Sequence, residues 1–198
     1  QEEIKNRLDL RDQLVFTIDP ADAKDFDDAV SLRVHADGSM ELGVHIADVS
    51  FYVPEKSALD LEAEKRGTSV YLVDRVIHML PVHLSNKLCS LNEGEEKLCM
   101  SVLVQLEPSA EVKSYQIKET VIRSQYRLTY DQAQDIIDQK TRHDQLSEPL
   151  TKMFSLSKKL IKKRQQRGAI DFETLELDVE LDKEGHPVHL HRRSRLDS

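Results

Sequence analysis

Residues 15–30 read VFTIDPADAKDFDDAV, a short apolar strand followed by an acidic segment and the start of a second apolar run. Five aspartates stand in the ten residues from Asp19 to Asp28. Burying even one unpaired carboxylate is costly, so this much negative charge next to a core strand requires an explanation. The segment predicts either a solvated acidic turn or a site that binds a cation.

The residues around the aspartates favour the cation site. Asp25, Asp27 and Asp28 flank Phe26 and run directly into the apolar stretch AVSL (29–32), so the acidic segment is joined to the core. Carboxylates a few ångströms apart raise one another's pKa, and a divalent cation relieves that repulsion.

The chemistry of the ligands favours magnesium. Oxygen ligands without nearby histidine or cysteine select Mg²⁺, Mn²⁺ or Ca²⁺ over zinc, and the glycine and glutamate spacing of an EF-hand calcium loop is missing here. A cluster of carboxylates exceeds what one Mg²⁺ needs when it keeps several waters. The pattern is therefore typical of phosphodiester chemistry, in which substrate phosphate completes the site.

Composition sets broader limits. The 198 residues, 39% of them hydrophobic, suffice for one large domain or two small ones. The formal net charge is -8, so the chain as a whole does not attract a polyanion. Local basic patches or bound metal ions would have to bind a nucleic acid. Two cysteines without CxxC spacing, no signal peptide and no apolar run near the ~18 residues of a bilayer span predict a cytoplasmic protein without membrane contact.

Strand and helix patterns are mixed along the chain, which predicts an α+β fold. Strand patterns cover 15–18, 29–34, 40–46, 100–106 and 115–121, with a hairpin over 175–190. A helix is expected to begin after the N-cap Ser57 and to end at Gly67, and a capping box at Thr129 begins another. The longest helix is expected from about residue 148 to 167.

The acidic stretch also resembles a known signature. TIDPADAKDFDDAVSL (17–32) is similar to the active-site motif of the ribonuclease II and ribonuclease R exoribonucleases. The likeness continues in order through HIADVSFYV (45–53), LDLEAEKRGTSVYL (59–72), MLPVHLSNKLCSL (79–91) and RLTYDQA (127–133). This resemblance implies an RNB-type catalytic domain with a mixed, largely antiparallel sheet and packed helices.

The resemblance also implies an activity. It predicts a magnesium-dependent hydrolase, with Mn²⁺ as a substitute, that removes nucleotides from the 3′ end of single-stranded RNA as 5′-monophosphates. The family's metal and catalytic aspartates correspond to Asp19, Asp25, Asp27 and Asp28, with Asp27 at the position most directly tied to cleavage. Tyr71 corresponds to an aromatic residue that stacks on the terminal nucleotide, although a tyrosine in a strand more often belongs to the core or sheet surface.

The same resemblance implies that residues 1–198 are the amino-terminal part of a truncated catalytic domain. Further helices with an arginine that assists at the scissile phosphate, an S1 domain and preceding cold-shock domains are expected in the rest of the parent protein. Two alternatives stay open: a non-catalytic RNA-binding remnant, and another two-metal phosphoryl hydrolase such as a phosphatase or DNA nuclease. Magnesium-dependent product formation, and a comparison of RNA with DNA, separate these alternatives.

Overall fold

The structure is a computed structural model that describes residues 3–170 and 177–192. Its strands are β1 (Leu8–Asp9), β2 (Val15–Asp19), β3 (Asp28–Val34), β4 (Met40–Ala47), β5 (Val70–Tyr71), β6 (Val76–Ile77), β7 (Glu96–Leu106), β8 (Val112–Arg123), β9 (Tyr126–Thr129), β10 (Leu177–Leu181) and β11 (Pro187–Arg192). Its α-helices are α1 (Val49–Tyr52), α2 (Ala58–Arg66), α3 (Tyr130–Ile137) and α4 (Ser147–Gln166), and the turns Glu3–Asn6 and Leu84–Leu88 are 3₁₀-helical and π-helical.

Seven strands form one mixed sheet in the order β1-β8-β7-β4-β3-β2-β9. The four inner pairings, from β8 through β7, β4 and β3 to β2, are antiparallel, whereas the edge strands β1 and β9 pair in parallel. The pairs β5–β6 and β10–β11 are separate two-stranded hairpins. The α+β class and the largely antiparallel sheet are thereby confirmed.

The helix ends follow the capping signals of the sequence. The Ser57 side chain accepts a hydrogen bond from the Asp60 backbone N–H at 3.2 Å, and Gly67 ends α2 with a φ of 71° that favours glycine. Thr129 and Gln132 form a reciprocal capping box at the start of α3. The predicted long helix is α4, which begins one residue earlier and ends one residue earlier than expected.

Two layers cover the sheet. Val15 and Phe16 are consecutive and fully buried, yet they belong to different core clusters because successive strand residues point to opposite faces. Phe16 packs in the cluster built with α3 and α4, whereas Val15 packs in the larger cluster that Leu84 and residues flanking α1 complete. The acidic segment contributes Phe26 to this larger cluster.

A buried polar chain crosses four neighbouring strands. His45 shares hydrogen bonds with Ser31 Oγ through Nε2 and with Ser101 Oγ through Nδ1, and Ser101 shares one with Thr120 Oγ1 at 2.6 Å. A Cβ at Gly43 would lie 2.3 Å from Ser31 Oγ, so glycine leaves the space that this chain occupies. The network makes one register of the sheet preferable to others, because a slip would leave these groups unpaired.

The predicted C-terminal hairpin is present as β10 and β11, paired antiparallel. Its expected first strand residues, 175 and 176, lie outside the described residues. Cys89 and Cys99 are buried free thiols, and burial raises the pKa of Cys99 to about 12. Among the described residues, no helix combines the length and apolar character needed to cross a bilayer.

Candidate active site

The acidic segment lies at one end of the large sheet. Strand β2 ends at Asp19 and its antiparallel neighbour β3 begins at Asp28, so the connection 20–27 returns the chain to the sheet end that it has just left. Asp19 is only 8% exposed, whereas Asp27 and Asp28 are exposed. The fold therefore places one buried and two accessible carboxylates at the same edge.

These three carboxylates act on one another electrostatically. Burial raises the pKa of Asp19, and the charges of Asp28 and Asp27 raise it further, whereas the nearby Thr17 hydroxyl and the charge of Arg127 act to lower it. The pKa of Asp28 is also raised, first because the surrounding protein partly desolvates its carboxylate although the residue reaches solvent, and second because of the charge of Asp27. Asp19 Oδ2 is buried and has no hydrogen-bond partner. A buried carboxylate oxygen of this kind is costly unless a cation or a solvent molecule binds it.

The connection that carries the aspartates is held in place by its main chain. The Ala47 N–H donates to the Asp27 carbonyl at 2.9 Å, which fastens the end of the connection to β4. The Phe26 N–H donates to Ser90 Oγ, and the Phe26 carbonyl accepts from the Leu91 N–H at 2.8 Å. Asp25 precedes Phe26 and is half-buried. The positions of Asp25 and Asp27 thus depend on contacts with distant parts of the chain.

A metal ion fits this site only in part. Across residues 3–170 and 177–192, no three histidine, cysteine, aspartate or glutamate side chains converge closely enough to hold an ion by themselves. The partnerless oxygen of Asp19 and its repulsion from Asp27 and Asp28 nevertheless fit a hard divalent cation, which takes water or substrate oxygens as its remaining ligands. The assignment of Asp19, Asp25, Asp27 and Asp28 as metal ligands stays a prediction.

Arg127 is a component of the site that the sequence patterns did not identify. It lies in β9, where it pairs with Thr17 of β2, and its guanidinium Nη2 donates to the carbonyls of Pro20 at 3.0 Å and Ala21 at 2.9 Å. The guanidinium carbon lies 5.2 Å from the centre of the Phe26 ring. Only its place in the RLTYDQA block could have suggested it, because a parallel pairing of strands so distant in sequence leaves no local pattern.

Tyr71 lies on the hairpin formed by β5 and β6. Its side chain is 71% exposed, so it does not belong to the core. Arg66 Nη1 of α2 donates to the His78 carbonyl at 2.9 Å, which ties the hairpin to that helix. The Met79 N–H donates to Ser69 Oγ at 3.0 Å and joins the two segments at the base of the hairpin. The tyrosine ring is thus presented to solvent from an anchored element, where a base could stack on it.

Comparison with known proteins identifies the family of this chain. The family model described as "RNB domain" matches residues 7–198, and the chain belongs to this family. Ribonuclease R of Aquifex aeolicus is 46% identical over 199 residues, which cover 98% of this chain. Ribonuclease R 1 of Lactococcus lactis is 43% identical over 199 residues and also covers 98% of the chain.

A solved structure shows the same architecture. RNase R of Mycoplasma genitalium, in complex with ribose-methylated single-stranded RNA, superposes with a TM-score of 0.93 at 30% identity over the whole of this chain. The chain spans 31% of that protein, and 28% and 24% of the Aquifex and Lactococcus enzymes. It therefore corresponds to less than a third of each of these three proteins.

Proposed function

We propose that this chain carries the aspartate centre of a 3′-to-5′ exoribonuclease that hydrolyses single-stranded RNA to 5′-monophosphates. The observation that carries the proposal is that Asp19 Oδ2 is buried without a hydrogen-bond partner while the exposed carboxylates of Asp27 and Asp28 lie close enough to repel it. The names of the Aquifex and Lactococcus relatives support a ribonuclease. The RNA-bound Mycoplasma structure supports RNA as the substrate.

The resemblance to metal-dependent ribonucleases and the oxygen ligands support Mg²⁺, with Mn²⁺ as a substitute. Asp19, Asp25, Asp27 and Asp28 would hold the metal, which when bound lowers the pKa of a water molecule and stabilises charge on the phosphate. The resemblance places Asp27 at the position most directly tied to cleavage, and its exposed carboxylate could orient the attacking water and accept its proton. The buried Asp19 anchors the centre from the core side.

Substrate binding is assigned to Tyr71 together with parts of the parent protein outside this chain. A stacked aromatic ring suits an enzyme without sequence preference, because every base offers a π-face. The remaining catalytic helices with their arginine, and the cold-shock and S1 domains, are proposed to supply further phosphate and RNA contacts. A cytoplasmic location is supported by the two free cysteines, which persist as thiols in a reducing compartment.

The test is a denaturing-gel time course with 5′-labelled single-stranded RNA. It compares this chain, the full-length protein that contains it, and the full-length Asp27→Asn variant, each with Mg²⁺ and with EDTA. Shortening from the 3′ end that both EDTA and the substitution abolish supports the proposal, and the lane of the short chain shows whether it acts alone. A matched DNA oligomer tests the requirement for ribose.

The result that contradicts the proposal is equally specific. If the folded full-length protein leaves RNA intact with Mg²⁺ but still binds it, the chain belongs to a non-catalytic RNA-binding protein. Equal degradation of RNA and DNA would instead indicate a general phosphodiesterase. A circular-dichroism spectrum of each variant shows whether a loss of activity reflects a loss of folding.

A further inference from the structure

The side chain of Arg127 bridges β9 and the acidic segment. One nitrogen, Nη2, donates to two consecutive carbonyls, those of Pro20 and Ala21, directly after Asp19. The same guanidinium lies against the ring of Phe26, which stands between Asp25 and Asp27. A single side chain therefore contacts both ends of the segment 20–26.

The charge of Arg127 also acts on the centre. Its guanidinium attracts the Asp19 carboxylate and opposes the repulsion from Asp27 and Asp28. A planar guanidinium can donate in its plane and contact an aromatic ring with its face at the same time. Arg127 makes both kinds of contact, so it orders the acidic segment while lowering the cost of gathering its charges.

Strand β9 does not depend on this side chain. Its main chain pairs with β2 from Phe16 to Asp19, and the Arg127 N–H donates to Glu93 Oε2 at 3.1 Å. The strand therefore keeps its place when the guanidinium is removed. Removing the guanidinium removes only the contacts with Pro20, Ala21 and Phe26. An effect on the acidic segment can therefore be measured separately from an effect on the stability of the sheet.

We propose that Arg127 is a positioning residue that holds the segment 20–26 so that the carboxylates of Asp25 and Asp27 lie beside that of Asp19. This inference rests on the proposed function for its catalytic consequence. Its structural consequence, the ordering of the segment, can be measured independently. Residues that orient the ligands of a metal typically change metal affinity or activity by about 10–100-fold when they are replaced.

The experiment uses the full-length protein and three variants. Arg127→Met removes the charge and the donors at similar length, and Arg127→Lys keeps the charge and can still donate to the two carbonyls. Arg33→Met is the matched control, because Arg33 is an exposed arginine of β3 whose nearest carboxylate, Glu41, lies 3.8 Å away. For each protein, we measure hydrogen exchange of the backbone amides of residues 21–27, Mn²⁺ affinity by calorimetry, kcat, KM and Tm.

The proposal predicts a specific pattern. In Arg127→Met, the amides of residues 21–27 exchange faster, Mn²⁺ binds about tenfold more weakly, and kcat falls about 10–100-fold with a small change in KM. Arg127→Lys recovers only part of these losses, because an ammonium keeps the charge but has no planar face to lie against Phe26 while it donates to the carbonyls. Arg33→Met behaves as the wild type. A purely structural arginine would lower Tm without changing Mn²⁺ affinity well below the Tm, and that result would overturn the proposal.

Failure of the positioning role and failure of the proposed function give different results. If the wild type degrades RNA and Arg127→Met matches Arg33→Met in exchange and Mn²⁺ affinity, only the positioning role is wrong. If the wild type neither binds Mn²⁺ nor degrades RNA, the proposed function is wrong. The exchange of the amides of residues 21–27 still tests the role of Arg127: faster exchange in Arg127→Met alone supports the positioning role, and unchanged exchange overturns it.

Discussion

His45 Nδ1 lies 2.7 Å from Ser101 Oγ, at a point in the sheet where neither side chain has any exposed surface. Its other ring nitrogen lies 3.0 Å from Ser31 Oγ. Burial lowers the pKa of His45 from 6.5 to about 4. The neutral imidazole is thus the form that fits the folded protein.

The lowered pKa of His45 predicts a loss of stability in mild acid. Between pH 6.5 and about 4 the unfolded state binds a proton on His45 that the folded state does not, so the free energy of unfolding falls as the pH falls. The full effect is roughly 3 kcal/mol, and it is absent above pH 6.5. Urea unfolding at several pH values checks this, with His45→Gln as the comparison.

Comparing the wild type with His45→Gln isolates the contribution of His45, because every other titratable group is present in both proteins. Asp19 and Asp28 have raised pKa values and favour the folded state in acid, opposite to His45. Their contributions cancel in the difference between wild type and variant. If the free energy of unfolding depends on pH in His45→Gln as it does in the wild type, His45 is not the source of the acid destabilisation.

Gly43 provides a second test of the same network. A Cβ at this position would lie 2.7 Å from His45 Nε2 in addition to its clash with Ser31 Oγ, and backbone shifts in a packed core cost about 1–3 kcal/mol. Gly43→Ala is therefore expected to destabilise the protein by roughly that amount. Adding Ser31→Ala removes the closest clash and should recover part of the loss, whereas equal losses in both variants would contradict this explanation.

The pair formed by Arg7 and Asp48 predicts a larger loss. Arg7 Nη1 lies 2.7 Å from Asp48 Oδ2, and both side chains are buried. Arg7→Met leaves a buried carboxylate without its cation, which costs about 3–5 kcal/mol. The double variant Arg7→Met/Asp48→Asn should recover much of this in urea unfolding. A loss below about 1 kcal/mol in the single variant would mean that Asp48 needs no cation.

The parts of the fold that could be predicted are those with local signals. Ser57 and Thr129 mark helix starts because a capping side chain bonds to a backbone N–H three residues later. The acidic segment itself was identified because its charge density is visible in ten residues. Its four predicted ligands and Tyr71 remain predictions, although the structure brings Asp19, Asp27 and Asp28 together.

The remaining features depend on pairings between distant residues. Arg127 reaches Pro20 only because β9 pairs in parallel with β2, more than a hundred residues away in sequence. The burial of His45 likewise follows from the order of β3, β4 and β7, which no local periodicity specifies. Sequence patterns report which face of an element is apolar, but not which element will cover it.

Replacing Asp19 is expected to stabilise the metal-free protein and to weaken its binding of metal. Its carboxylate is buried and repelled by Asp27 and Asp28, so Asp19→Asn should raise the Tm in EDTA, by roughly 2 °C if about 1 kcal/mol of strain is relieved. Adding Mn²⁺ should raise the Tm of Asp19→Asn by less than it raises the Tm of the wild type, because the variant has lost a carboxylate ligand of the metal. Thermal unfolding with and without Mn²⁺ measures both effects.

The control for Asp19 is Asp22→Asn, because Asp22 is an exposed aspartate of the same segment to which we assign no role. It should leave the Tm and the response to Mn²⁺ unchanged. An Asp19→Asn protein that is stabilised by Mn²⁺ as strongly as the wild type would remove Asp19 from the predicted ligands.

Removing the ring of Tyr71 is expected to lower the affinity for RNA without lowering the stability of the protein. Its ring is 71% exposed, so Tyr71→Ala removes little packing, whereas one stacked base is worth about 1–3 kcal/mol. Binding of the full-length protein to single-stranded RNA in EDTA should weaken by about 5–150-fold, as measured by fluorescence anisotropy. Tyr71→Phe keeps the ring and should bind nearly as the wild type does.

Tyr115 offers a matched control for this change. It is 65% exposed on β8, and Tyr115→Ala removes a ring of the same size from a different surface. If only Tyr71→Ala weakens RNA binding, the effect belongs to the hairpin and not to the general loss of an aromatic side chain. Equal affinities for wild type, Tyr71→Ala and Tyr115→Ala would show that the exposed ring on β5 does not contact the RNA, and Tyr71 would then lose its predicted role.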